Sequence, residues 1–338
     1  MRFSSVSFTT VILAVLWLGE FAHANIELDI PGVIVEDSST NRPGQAQTAL
    51  VKYQGNPAFL KCHTDKEAYK IEHDALVRIH RGDPRRYGMP SKVKNMFVAL
   101  KGSVQTRKGT HCLVMERLEG DNLTEYVKKV DPKKKDAILS SISVQLITAL
   151  KYIHRLGWVH GDIKPDNIIV HDDAQTGEPR VTIIDFDASQ QVGNDLKHRI
   201  GGTQGYESPE EFSPNPLDQY KRDSWMLGAT IYSAAVGLPP YGISHSSRTG
   251  KDELWNRGYL KNAMAHVART GEHLFPRIKT LENSSLLKLI NMLLEPKVES
   301  RPAIRKLDTQ LINDLAGGNT NGTPLTRAGN KFLSMMSF

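Results

Sequence analysis

Two short stretches hold the residues best suited to chemistry. The first is Trp158-Val159-His160-Gly161-Asp162-Ile163-Lys164-Pro165-Asp166-Asn167-Ile168-Ile169-Val170. The second, Ile183-Ile184-Asp185-Phe186-Asp187, follows soon after. Carboxylates and amide oxygens hold hard cations, a carboxylate also takes up protons, and an ammonium neutralises anionic oxygens. A polar loop capped by its own side chains uses the same residue types, so both readings stand at this point.

The elements that must position these stretches change character along the chain. From about 32 to 116 the pattern is short and strand-like, at 33–35, 48–51, 59–62, 97–100 and 112–115, with Gly, Pro, Asn and Lys turns between. One helix interrupts it over 66–80, with Ala68, Ile71, Ala75, Leu76 and Ile79 spaced for one face. From about 123 the period is helical. Residues 136–156 place Leu139, Ile142, Leu146, Ala149, Leu150 and Ile153 on one side, and Gly157 ends the run. Further helices are predicted near 218–236, 253–268, 284–294 and 302–315. The chain reads as a small β-rich lobe joined near Glu116–Gly120 to a larger α-rich lobe. A Gly/Asn/Thr-rich tail, 316–338, is predicted to be flexible.

Composition narrows the classes. The 338 residues carry 43 Lys+Arg against 37 Asp+Glu, and 39% are apolar, which excludes bulk disorder and a polytopic membrane protein. A charge of +6 over this length is mild. No long basic block with interleaved aromatics occurs, so no nucleic-acid partner is expected. Arg2, the apolar run Val11–Leu18 and Ala22-His23-Ala24 have the layout of a signal peptide over residues 1–24, with an uncleaved anchor as the alternative. No later segment reads as a membrane span. A secreted or lumenal protein is expected, with sequons at Asn122, Asn283 and Asn321.

With these motifs in order over 33–315, the chain resembles the eukaryotic-type protein kinases. The resemblance implies an α+β, bilobal protein-kinase-like fold. A small antiparallel β-rich N-lobe with one helix (33–116) precedes a larger α-helical C-lobe (117–315). It implies ATP and Mg as cofactors and a monomer acting on Ser/Thr hydroxyls of a protein substrate. Phosphoryl transfer requires an aligned nucleophile and neutralised phosphate charge. On this resemblance Asp162 is the catalytic base, Lys164 contacts the transferred phosphate, and Asn167 and Asp185 hold the metal. Lys61 grips the nucleotide phosphates, with Glu72 as its partner and Glu67 as runner-up. Met115 is the gatekeeper, Glu116 and Leu118 meet the adenine, and Ile169 lies beneath it. The run Gly202–Glu210 matches the peptide-docking segment, with Thr203 as in the Ser/Thr-directed members. Glu210 is expected to pair with Arg301, and Asp223 to brace the catalytic loop.

Four departures from the family bear on activity. The loop Ser38–Ala46 has one glycine where the family has several. Phe59 stands at a position usually held by a small residue, unless a shifted register gives that place to Ala58. Gly161 replaces an arginine that in the family reads a phosphorylated loop, so candidate sites such as Ser189 are not expected to be on-switches. Asp187 replaces a glycine, to bind metal, stiffen the loop or disturb the charge balance. The expected function is a working kinase, which phosphorylates secretory cargo or is delivered into another cell. Its rivals are a secreted pseudokinase acting as a binding or scaffold module and a small-molecule phosphotransferase. Finally, the family sheet places Cys62 and Cys112 on neighbouring antiparallel strands, where they form either a disulfide or a pair of buried thiols.

Overall fold

The computed structural model describes residues 30–38, 46–192, 201–213, 217–275, 278 and 281–317. The expected signal peptide, most of the single-glycine loop, the Asn321 sequon and the tail beyond 317 lie outside them.

The N-terminal lobe is built on one five-stranded antiparallel sheet. Its strands are β1 (Val33–Ser38), β2 (Gln47–Tyr53) and β3 (Asn56–His63), then, after helix α1 (Lys66–Arg81), β4 (Leu100–Gln105) and β5 (His111–Glu116). The spatial order is β1-β2-β3-β5-β4. Strand alternation divides β3 cleanly. Ala58, Leu60 and Cys62 join Ile30, Ala49, Val51, Cys112 and Val114 in a small outer core. Phe59 and Met115 belong to the opposite face, which packs against the main core. Cys62 and Cys112 are direct cross-strand partners and form a disulfide.

Helix α1 starts where the Asp65 side chain accepts from the Glu67 amide. Its buried face is Glu72, Ala75, Leu76 and Ile79, the spacing of a single helical stripe. The strand predicted at 97–100 begins instead at Leu100. Phe97 bridges Ile183 in the other lobe, and Val98 donates to the Ile183 carbonyl at 3.1 Å. The apolar run there serves the contact between lobes, while the lobe's own edge strand is the weaker pattern after it.

The second lobe opens with β6 (Asp121–Asn122), α2 (Leu123–Lys129) and the long α3 (Lys135–Arg155). Among the described residues one helical stretch, Pro132–Arg155, is long and apolar enough to cross a membrane, and it is mostly buried in the lobe. Then come β7 (Trp158–Val159), β8 (Ile168–Asp172), β9 (Pro179–Ile183) and β10 (Gln190–Gln191). Helix α4 (Gln219–Val236) follows, buried along almost its whole length and packed against α2, α3 and a later helix. A hairpin of β11 (Ile243–Ser246) and β12 (Lys251–Leu254) precedes α5 (Arg257–Thr270), α6 (Ser284–Leu293) and α7 (Thr309–Gly317). The sequence predicts helix from 302. Ile304–Lys306 instead make one 3-10 turn, and α7 starts at Thr309, after Asp308 accepts from the Gln310 amide. Pro302 favours an extended residue before it and cannot continue a helical hydrogen-bond ladder.

Candidate active site

The two stretches singled out by residue type come together through the β8–β9 hairpin. Ile168 pairs with Ile183, so the residues entering β8 and leaving β9 lie side by side. Asn167 sits just before β8 and Asp185 just after β9, and Ile184 N–H donates to the Asn167 carbonyl at 3.0 Å. Gln145 of α3 braces the hairpin, donating to the Pro179 carbonyl at 2.7 Å and accepting from Val181 N–H at 3.2 Å.

The loop before β8 is held from beneath by α4. Asp223 is fully buried and accepts from the His160 and Gly161 amides at 2.9 and 3.0 Å. His154 Nε2 lies 2.8 Å from the same carboxylate. Burial pushes the Asp223 carboxyl up, but His154, the Gly161 amide and His160 outweigh it and hold the group below its ordinary value. His160 Nδ1 accepts from Asp162 N–H at 3.2 Å, so its protonated nitrogen is Nε2, which donates to the Ile184 carbonyl at 3.0 Å. One imidazole thus fixes the backbone at Asp162 and just before Asp185.

Asp162 is nearly buried and surrounded by donors. Lys164 Nζ lies 2.7 Å from its Oδ2, and Thr203 donates to Oδ1 through N–H at 3.0 Å and through Oγ1 at 2.8 Å. Lys164 also donates to Thr203 Oγ1 at 2.7 Å. Asn167 Nδ2 donates to the Asp162 carbonyl at 2.9 Å. Its amide oxygen is then the atom left for a cation.

Lys61 reaches the cleft from β3. Its Nζ lies 2.8 Å from Glu72 Oε2, 2.5 Å from Asp185 Oδ1 and 3.4 Å from Asp187 Oδ2. Glu67, the runner-up partner, stands in the first turn of α1. Burial lowers the Lys61 ammonium's proton affinity, but the three carboxylates outweigh it and raise the group above its ordinary value. Asp185 is likewise burdened by desolvation and yet held low by Lys61. Asp187 goes the other way: burial and the neighbouring Asp185 push it up, against the pull of Lys61. Asp185 adopts φ 65, in the left-handed region, beside the Phe186 amide that donates to Glu72 Oε1 at 3.1 Å.

The residues assigned to the adenine side lie on the adjoining strands. Met115 is buried directly across from Phe59. Glu116 ends β5, its side chain accepting from Ala99 N–H at 2.7 Å, and Leu118 is half-buried against the main core. Ile169 is buried in β8 but belongs to neither core cluster. Ala58 faces the outer core, so the shifted register that would exchange it with Phe59 is not adopted.

The segment Gly202–Glu210, expected to dock peptide, is tied down by charge pairs. Glu210 meets Arg301 in a bidentate pair at 2.6 and 3.0 Å, and both are buried. Ser189 is buried, its hydroxyl donating to the His160 carbonyl at 3.1 Å. Gly161 has φ +83, and a Cβ there would overlap the Ala188 carbonyl oxygen. Arg222 of α4 lies near the same point, with Nη1 3.5 Å from where that Cβ would be. Its Nη2 donates to the Gly201 carbonyl at 3.3 Å, and its Nε lies 2.9 Å from Glu211 Oε2. Arg222 thus ties α4 to the segment that carries Gly201 and Glu211. Residue type alone gives no hint of Arg222, because a helix arginine ordinarily faces solvent.

Asp185 and Asn167 offer two hard oxygen donors beside a lysine. That fits Mg²⁺, which keeps waters and binds substrate phosphates with only one or two protein ligands. Among the described residues no cluster of three or more His, Cys, Asp or Glu is arranged to hold a metal by itself.

Comparison with known proteins agrees with this arrangement. The protein kinase domain family matches residues 89–311, a span that includes Asp162, Lys164, Asn167 and Asp185 and leaves Lys61 and Glu72 before it. The chain is 29% identical to sperm motility kinase 2B of Mus musculus over 170 residues, 50% of this chain and 34% of the relative. It is 34% identical to sperm motility kinase Z of Mus musculus over 163 residues, 48% and 31% of the two chains. Similarity to serine/threonine-protein kinase tousled-like 1 of Homo sapiens extends over 285 residues at 27% identity, 80% of this chain and 35% of the relative. The chain spans about a third of the length of these relatives. With a bilobal fold, the catalytic loop and carboxylates on one hairpin, and a family match over most of its second lobe, the chain belongs to the protein kinase family.

Proposed function

We propose that this chain is an ATP- and Mg-dependent kinase of the Ser/Thr type, acting on protein hydroxyls after entry into the secretory pathway. The observation that carries the reading is the Thr203 hydroxyl. It donates to Asp162 Oδ1 at 2.8 Å while accepting from Lys164 Nζ at 2.7 Å. Asp162 and Lys164 can thus orient an alcohol, drawing its proton to a carboxylate while a cation stands beside its oxygen. On a substrate hydroxyl, the same pair would direct the oxygen lone pair at the γ-phosphorus. The new O–P bond forms as the bond to the ADP oxygen breaks, and the proton passes to Asp162. Lys61, held by Glu72, would grip the nucleotide phosphates. Bound Mg²⁺, on Asp185 and Asn167, would neutralise their charge. The Cys62–Cys112 bridge supports an oxidising compartment.

The test is phosphate transfer to a generic basic protein, with a thermal-shift titration of ATP and Mg²⁺ alongside. Asp162→Asn is expected to reduce transfer by at least about a thousandfold while sparing nucleotide binding, since it removes only the proton acceptor.

A pseudokinase reading has its own observation: Phe59 is half-buried on the Lys61 face, opposite Met115. If the ring obstructs adenine, Phe59→Ala strengthens ATP binding. Wild-type protein with neither a nucleotide-dependent shift nor phosphate incorporation selects the scaffold reading. The small-molecule phosphotransferase is disfavoured by the ordered segment Gly202–Glu210, which suits a peptide.

A further inference from the structure

Strand β3 brings a second titratable side chain to the face of Lys61. His63 lies two residues further on, and strand alternation returns it to the same side. It is only 4% exposed, and its Nε2 lies 2.9 Å from Glu72 Oε2. That oxygen is the one Lys61 meets at 2.8 Å, while Oε1 is held by the Phe186 amide. Glu72 itself is sealed from solvent. Its carboxyl is pushed up by burial, then pulled below its ordinary value by Lys61 and by His63.

Glu72 is the acid that His63 approaches, and rings surround the pair. Tyr69 of α1 approaches the ring edge-on at 6.2 Å between centroids. His111 is its direct cross-strand neighbour on β5 and packs against Tyr69, as does His73 from the helix. Lys61 shares this face of the strand. A carboxylate can only accept, so a hydrogen bond here needs the proton on Nε2; as the side chains stand, neither Nε2 nor Oε2 is aligned for one, and a small turn of the ring would make it.

This second donor solves a problem of shared charge. Lys61 faces Glu72, Asp185 and Asp187 at once. When its ammonium turns to phosphate oxygens, it weakens its hold on Glu72, and a buried carboxylate left short of donors is costly. We propose that His63 is a positioning residue: its imidazole N–H keeps Glu72 docked while Lys61 turns to the nucleotide phosphates. The nucleotide part rests on the kinase reading, whereas the His63–Glu72 coupling stands apart from it.

The experiment compares His63→Leu, which deletes the donor, with His63→Gln, whose amide N–H extends to a similar point, both in the full chain. The dissociation constant and KM for ATP are read beside KM for a protein substrate. His63→Leu is expected to weaken ATP about tenfold, the scale of one lost hydrogen bond to a charged group. His63→Gln should recover most of that loss, with KM for the protein substrate unchanged in both. Equal ATP affinity in all three proteins, or equal loss in both variants, overturns the proposal. A second measurement needs no nucleotide: nitrogen-15 NMR of labelled histidine in wild type and Glu72→Gln. Removing the carboxylate should displace the His63 Nε2 resonance, because the ring loses the oxygen 2.9 Å away. An unmoved resonance overturns the proposal whether or not ATP binds. A moved resonance in protein that binds no ATP upholds the coupling and overturns the kinase reading instead.

Discussion

Asp187 shows what a single side chain does when it is added to a site already rich in carboxylates. It reaches Lys61 at 3.4 Å, and its raised proton affinity comes from burial and from Asp185. A carboxyl whose folded pKa is raised destabilises the fold above that pKa, and the penalty vanishes as pH falls below the unfolded value. Asp187→Asn should therefore raise Tm at neutral pH, with the gain fading as the solution is acidified. The side chain is 40% exposed, so solvent screening limits the gain to under about 1 kcal/mol. Thermal unfolding of both proteins across pH checks this, and a pH-independent difference would remove the electrostatic explanation. Some of this site was legible from residue types. Glu72 stands on the same helical stripe as Leu76 and Ile79, so its inward direction could be read from periodicity. His63 could not be found that way, since a lone histidine in a strand carries no pattern and its partner lies on another element.

At the level of elements, the disulfide fastens β3, which carries Lys61, to β5, which carries Met115. The cysteines are 50 positions apart, so opening the bridge frees a loop that includes all of α1 and β4. The chain-entropy account puts its contribution at about 4 kcal/mol. Reduction, or the paired change Cys62→Ala and Cys112→Ala, should lower Tm markedly. A Tm indifferent to reductant, with both thiols then alkylated, would show that the bridge does not stabilise the lobe. Helices were the more readable elements, because α1, α3, α4 and α6 have long apolar stripes and strong end signals. The β8–β9 hairpin was harder. Its apolar runs are short, and the polar residues at its ends, Asn167 and Asp185, interrupt any alternating pattern. The sequon at Asn283 illustrates the same limit. Its Oδ1 caps α6 by accepting from Ser285 and Leu286 amides, and its Nδ2 donates to Ser140 at 3.0 Å. The three-residue pattern there coincides with a helix start.

Across the whole molecule, α4 is the axis on which the catalytic loop, the docking segment and the surrounding helices converge. Asp223 gives that convergence a signature in pH. Its folded pKa is depressed, so its contribution to stability is present above the unfolded value and lost as pH falls through the folded one. Acid unfolding should therefore depend on pH below about 4, the ordinary Asp value. Asp223→Asn should flatten that dependence and destabilise the protein at neutral pH by about 3–5 kcal/mol, because His154 and two buried amides lose their charged acceptor. Circular dichroism of both proteins from neutral pH downward tests it, and parallel acid transitions would assign the effect to other carboxylates. The same helix also carries Arg222, wedged beside Gly161 and within reach of Gly201 and Glu211. Gly161 is held by its own φ of +83 and by the Ala188 carbonyl oxygen, whereas Arg222 stands at ordinary contact distance from it. Descent with modification should leave the trace of that constraint: among relatives, a side chain at position 161 should come with a rearranged backbone around position 188, and loss of the arginine at position 222 alone should not admit one.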